Sequence, residues 1–267
     1  MKMKKYFGLI LGLLIFSNFC HPALILTQKV GPGEIDWGKY KISAVGIGPK
    51  GTSAKGSLTE ARKDAVRKLY ETVLNLNLNC TTLVKDQLNK SQLKKLENLI
   101  SKEFKMLDKP RYTQAGDCEI DVELALPGKI MDLILPPSGE KLKELSSQNL
   151  PSAPIEAFTG LIIDASGLNF PLHLVPKIVN PNGVEIYGIS WVERSWANTW
   201  GIVEYATAAS DYHRVGEKPQ YLKGLKIAED GCSIVVSVDN LTNILTAENL
   251  ATLSRARVIL ITDQGNK

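Results

Sequence analysis

Residues Cys118–Leu126 alternate without a break: Cys118, Ile120, Val122, Leu124 and Leu126 fall on one side, Glu119, Asp121 and Glu123 on the other. Strict alternation is the signature of a half-buried strand, and it demands a sheet with one wet face and one covered face. The natural cover lies upstream. Leu58, Ala61, Ala65, Leu69, Val73 and Leu76 recur at helical spacing and form one apolar stripe, with Arg62, Lys63, Arg67 and Lys68 off it. Ser57 and Glu60 have the spacing of a capping box that starts this helix. The basic side reads as a solvated face rather than a phosphate site. Tyr40–Ile47 is strand-like, and a second amphipathic helix is expected over 91–105 on Leu93, Leu96, Ile100 and Phe104. Met106–Thr113 and Cys118–Leu126 flank Gln114–Asp117 and read as a hairpin. The order is strand, helix, helix, strand, strand. The last strand is expected to close the sheet and to leave an edge open to pairing with a second copy or a partner.

Pro127–Gly128 ends this unit, and Pro136–Pro154 is rich in Pro, Ser, Lys and Glu. The chain therefore divides into an export signal at 1–23, an α+β domain at 30–135, a linker at 136–154 and a second α+β domain at 155–267. In the second domain, Gly160–Ala165 is a strand. Leu174–Val179 and Val184–Tyr187 bracket the turn Asn180–Gly183. A helix is expected over Trp196–Ala208. Ser233–Val238, Leu245–Leu253 and Arg257–Thr262 suggest a strand–helix–strand unit. The fold class is α+β, with two domains, each a small, mostly antiparallel sheet carrying helices on one face. The two domains are expected to fold independently.

The amino terminus places the chain. Lys2, Lys4 and Lys5 precede the apolar run Tyr6–Phe16, which reads as an export signal and is too short for a comfortable membrane span. Cys20 is the lipidation candidate, although Phe19 stands where lipoprotein processing takes a small residue. The alternative is cleavage after Ala23, with His21 in an unfavourable position. A lipidated Cys20 would tether the protein to a membrane surface. Three of the four net positive charges belong to those lysines, so no electrostatic argument for nucleic acid survives. Cys80, Cys118 and Cys232 share no zinc spacing. Cys118 reads as a buried thiol. A Cys80–Cys118 disulfide is the alternative that an oxidising compartment permits.

Gly46, Gly48 and Gly51 resemble a dinucleotide fingerprint. The predicted helix starts six residues after Gly51, so its amino terminus cannot meet a pyrophosphate. Gly51 and Gly56 have Walker spacing, but Ser57 replaces the lysine. His21, His173 and His213 lie in unlike contexts and build neither a triad nor a metal site. Asp164 reads as a strand-end cap. No catalytic, cofactor-binding or metal-binding residue is assigned. Trp191, Trp196 and Trp200, with Tyr187 and Tyr205, form an aromatic cluster. It is either core or a platform for glycan or a partner, and exposed ring faces would decide for the platform.

The strand into AVGIGPKG, the helix SLTEARKDAVRKLYETV and the hairpin ending in CEIDVELAL resemble the twenty-kilodalton lipoprotein domain (LPP-twenty) of bacterial envelopes. TGLIIDASG, VPKIVNPNGVEIYG, WVERSWANTWGIVEYA and RARVILITD are similar to the tail of a longer branch of that family. The resemblance implies export, a periplasmic or outer-membrane site and no enzymatic activity; some relatives serve flagellar outer-membrane structures. The expected function is a non-enzymatic envelope module that binds other envelope proteins or itself. The alternatives are a flagellum- or secretion-linked assembly factor and a periplasmic glycan- or ligand-binding module built on the tryptophans.

Overall fold

The computed structural model describes residues 26–51, 53–146, 157–207, 212–237 and 246–263. The export signal, Cys20 and residues 147–154 of the expected linker lie outside them. The first sheet holds β1 (Thr27–Val30), β2 (Gly33–Asp36), β3 (Lys41–Gly48), β4 (Lys105–Met106), β5 (Arg111–Tyr112) and β6 (Cys118–Ala125). Its spatial order is β1-β2-β3-β6, with β4 and β5 both paired to the far side of β6. Every pairing in it is antiparallel. The alternation in β6 holds residue by residue: Ile120, Val122 and Leu124 are fully buried. The β1–β2 hairpin was not foreseen, although Gly31 turns it at φ +57° next to Pro32.

The covering helix α1 spans Ala54–Leu74. Ala61, Ala65, Leu69 and Val73 are fully buried against the sheet, and each large apolar side chain contributes about 1.5–3 kcal/mol on burial. Its start differs from the expectation. Ser53 is the N-cap, and its hydroxyl accepts from the Gly56 amide. Ser57 lies one turn inside, buried, where its Oγ accepts from the Gly51 amide at 2.8 Å. The basic side is ion-paired with its own helix: Arg67 with Asp64 and Glu71, Lys63 with Glu60. Helices α2 (Val84–Gln87) and α3 (Lys90–Glu103) follow, the second with a capping box on Asn89 and Gln92.

The strand expected to close the sheet is interior. β3 pairs with β6 along its full length, from Lys41↔Ala125 to Gly48↔Cys118, and β4 and β5 take the other side. The edge that self-pairing was to use on β6 is therefore filled. Part of the expected linker is also structured, since α4 (Lys129–Ile134) leads to α5 (Glu140–Ser146).

The second sheet contains β7 (Gly160–Asp164), β8 (Lys177–Val179), β9 (Glu185–Tyr187), β10 (Glu204–Ala206), β11 (Pro219–Ile227), β12 (Ser233–Val236) and β13 (Val258–Ile261), with helices α6 (Arg194–Trp200) and α7 (Ala247–Ser254). Its order is β10-β13-β7-β11-β12-β8-β9. The chain is α+β with two sheets, but this sheet is mixed rather than mostly antiparallel. Four of its six pairings are parallel, because β10, β13, β7 and β11 run one way and β12 and β8 together run the other. β7 and β13 accordingly read as continuous apolar runs, buried on both faces. The β8–β9 hairpin stands where Asn180–Gly183 predicts it. Helix α6 stops at Trp200, because Gly201 takes φ +73° and Glu204–Ala206 enters the sheet. β12 and β13 are separated by β11 and β7 and run in opposite directions, so they form no strand–helix–strand unit.

One hydrophobic cluster runs through both sheets, from Ile35, Trp37 and Ile120 in the first to Leu161, Tyr205 and Leu260 in the second. Backbone bonds cross the seam as well: Leu174 and Val175 donate to the Asn77 and Leu78 carbonyls, and Gly128 to that of Asn198. A shared core replaces the two separate cores expected from the sequence.

Candidate functional site

The seam between the sheets carries the densest chemistry. On one side, the 36–41 turn presents Trp37 and Tyr40, with Tyr40 at φ 50°. On the other, β10 presents Tyr205. The three rings meet edge-on or tilted, with centroids 5.7–6.4 Å apart. Three buried phenols donate to backbone carbonyls: Tyr40 to Val203 at 3.0 Å, Tyr187 to Ile202 at 2.5 Å and Tyr205 to His173 at 2.7 Å. Burial raises the pKa of all three, so they remain neutral hydrogen-bond donors.

Arg214, in a 3₁₀ turn at His213–Val215, closes the seam. It is only 9% exposed. Its Nε donates to the Ala256 carbonyl at 2.5 Å, and its two terminal nitrogens donate to those of Trp200 and Gly201 at 3.0 Å. Its guanidinium carbon stands 5.4 Å from the centre of the Trp200 ring. Burial lowers the arginine pKa, while Tyr187, Tyr40 and Glu204 act to raise it. Burial likewise raises the Glu204 carboxyl, opposed by Arg214 and His213. Lys39, Tyr40, Trp200, Glu204, His213 and Arg214 line a groove of about 370 Å³ here. The arrangement fixes the α6–β10 loop and sets a partly exposed indole beside a carboxyl group. It presents no nucleophile beside a base.

The tryptophans separate. Trp191 is 2% exposed and belongs to the core. Trp196 is half-buried and packs against the same core. Trp200 is 36% exposed, edge-on to Trp196 at 5.4 Å. Any aromatic platform is therefore reduced to Trp200, and Tyr187 and Tyr205 are buried.

Gly46 and Gly48 are packing glycines. A β-carbon on Gly48 would lie 1.9 Å from the Ser57 carbonyl oxygen, and one on Gly46 would lie 2.3 Å from that of Ala61. Asp164 caps the turn after β7 by accepting from the Ser166 amide at 3.0 Å, and it also takes the Tyr221 hydroxyl at 2.7 Å. His173 is buried at 1% exposure in the segment before β8, whereas His213 sits in the 3₁₀ turn before β11. Among the described residues, no group of three or more His, Cys, Asp or Glu could hold a metal ion, and no helix is long and apolar enough to cross a membrane.

Cys80 pairs with Cys232, not with Cys118. Cys118 is a buried free thiol, as its phase in β6 predicts. Strand β6 fixes it inside the first core, whereas Cys80 follows α1 on a loop that reaches the β11–β12 turn, where the Cα atoms are 5.4 Å apart. A partner 152 residues away carries no spacing signal. Arg214 was missed for a related reason: its partners at Ala256, Trp200 and Gly201 are carbonyls, which leave no mark on side-chain composition.

No curated protein matches the chain. Residues 160–264 are similar to the family described as Treponema pallidum Tp0624, second domain; the match takes in the second sheet and covers less than half of the chain.

Proposed function

We propose that the protein is an exported, non-enzymatic component of the cell envelope, resembling LPP-twenty lipoprotein domains, that binds other envelope proteins or a second copy of itself. The observation that carries this reading is the Cys80–Cys232 disulfide. Structural disulfides belong to oxidising compartments, and this one agrees with the Lys-flanked apolar run at 6–16. An uncovered surface elsewhere on the molecule supports the second half of the reading. Val45, Ile47 and Leu107 are 41%, 46% and 53% exposed on the face of the first sheet opposite α1, next to Glu119, Asp121 and Arg111. Apolar side chains ringed by charge suit a protein partner.

Crosslinking in cells from a photoreactive residue at Ile47, followed by identification of the captured chains, tests the reading. Capture of envelope proteins or of the protein itself from that position, with loss when Val45→Glu is added, supports it. A cytoplasmic pool retaining Met1, with only cytoplasmic partners captured, refutes it. Cys20→Ala separates the lipid tether from simple secretion, through loss of acyl labelling. The glycan-binding alternative rests on the exposed ring of Trp200. It requires that Trp200→Ala abolish sedimentation with peptidoglycan.

A further inference from the structure

The registers of the first sheet fix where the amino-terminal segment meets the folded body. Thr27 lies opposite Asp36, and Asp36 opposite Lys41, so the chain enters β1 at the Lys41 end of β3. The entry point is pinned: Leu26 is 3% exposed, and its carbonyl accepts from the Trp37 amide at 2.9 Å. The 36–41 turn then leads into the Arg214 groove, which Gly38, Lys39 and Tyr40 line together with Trp200. The two walls are in close contact, since a β-carbon on Gly201 would lie 2.8 Å from the Tyr40 ring. Leu26 stands six residues after Cys20, and a fully extended chain covers at most about 3.6 Å per residue. A lipid on Cys20 would therefore hold Leu26 within about 20 Å of the bilayer, with the groove beside it.

What this end of the molecule exposes suits a lipid surface. Trp37 and Trp191 are buried and Trp196 is half-buried, whereas Trp200 is exposed. It is thus the one indole of the four that an outside surface reaches. An indole has an apolar body and a polar N–H, and it settles at the headgroup level of a bilayer. Lys39, in the same groove wall, keeps 67% of its side chain exposed. Its long stem lets the ammonium group reach anionic headgroups. The apolar patch on the first sheet lies toward the other end. Ile47 stands six residues beyond Lys41 on one continuous strand, about 20 Å away along β3.

We propose that the groove end of the molecule rests on a membrane, with Trp200 and Lys39 in the headgroup layer and the Ile47 face held away from the bilayer, open to protein partners. This orientation rests on the lipid tether at Cys20 proposed above. The test uses the processed, acylated protein, disulfide intact, bound to vesicles of phosphatidylcholine and phosphatidylglycerol with brominated acyl chains, which quench a nearby indole. Roughly a quarter of the tryptophan emission, one indole in four, should be quenched, and Trp200→Phe should remove that quenching. Adding Ile47→Trp to the Trp200→Phe chain should restore none of it. If Trp200 serves only to stack against Arg214 and Trp196, the bound protein is not quenched. That result in the unaltered protein overturns the proposal with the tether still in place and whether or not the variants fold. Quenching that Trp200→Phe leaves unchanged, or that appears at Ile47→Trp, also overturns it. A lack of acyl label on Cys20 instead removes the tether, and the orientation falls with it.

Discussion

Replacing Gly48 by alanine tests how closely the first helix lies on its sheet. The added methyl would meet the Ser57 carbonyl oxygen at 1.9 Å and the Ala61 amide nitrogen at 2.5 Å. Ordinary contact is about 3.5 Å, so α1 must retreat by about 1.5 Å at this point. The obstructing atoms are backbone and cannot swing aside as a side chain would. Retreat opens the interface at Ala61, Ala65 and Leu69, all fully buried. A radial gap of only about 0.5–1 Å already forfeits a quarter to a half of each contact. Overpacking of a core costs about 1–3 kcal/mol, and a clash with rigid backbone belongs at the top of that range. We expect a loss of about 3 kcal/mol, or a melting temperature lower by roughly 6–12 °C for a body of this size. Urea unfolding followed by circular dichroism, with the disulfide intact, measures it. Gly56→Ala is the control. It lies in the same helix with Ser53 Oγ no nearer than 3.5 Å, so it should be neutral or slightly stabilising. If Gly48→Ala stays within about 1 kcal/mol of the unaltered protein, the close strand–helix approach is wrong, and these glycines need another explanation.

Three further outcomes are expected. Peptide mapping under non-reducing conditions should recover a Cys80–Cys232 link, and Cys80→Ser with Cys232→Ser should cost up to about 5 kcal/mol from loop closure over 152 residues; a Cys80–Cys118 peptide would overturn the pairing. Arg214→Leu strips a donor from three carbonyls at Ala256, Trp200 and Gly201 and should destabilise by about 3 kcal/mol or more in urea, with a change below about 1 kcal/mol refuting its role at the seam. Because the folded pKa of His173, about 4, lies below the ordinary 6.5, the unfolded chain takes up the proton first, so stability is fully present above pH 6.5 and is lost as pH falls toward 4. The span is about 3 kcal/mol. The raised carboxyl of Glu204 works in the opposite sense, so the measurement is the difference from His173→Phe, which should show a flatter acid limb; identical acid limbs would refute the shift.

Local periodicity carried the first half of the fold. The stripe in α1 and the alternation in β6 are written in neighbouring residues, and the structure keeps both. What escaped is non-local. β7 and β13 are apolar runs that look alike whichever strand they adjoin, so neither the parallel block nor its order could be read from them. Helix α6 was overextended because Trp196, Trp200 and Val203 keep helical spacing across Gly201, which in fact turns the chain into β10. The shared core was hidden because Trp37 and Tyr40, polar-flanked in sequence, find Tyr205 only in space. The tryptophan cluster was legible as aromatic, yet exposure alone separates Trp191 from Trp200.

The place of β13 has a consequence for how the chain is made and moved. It lies between β10 and β7, and residues 258–261 are the last to be made among the described strands. A ribosome or an export channel delivers the chain from its amino end. During that delivery β7 and β10 wait with unpaired edges, apolar on both faces in β7, until the strand between them arrives. The first sheet is complete by residue 125, and Cys232 emerges before β13, so the covalent tie can form while the second sheet is still open. A chain arrested short of residue 258 would therefore be half-built, with β10 cut off from the rest of its sheet: the form that a chaperone or protease is most apt to meet.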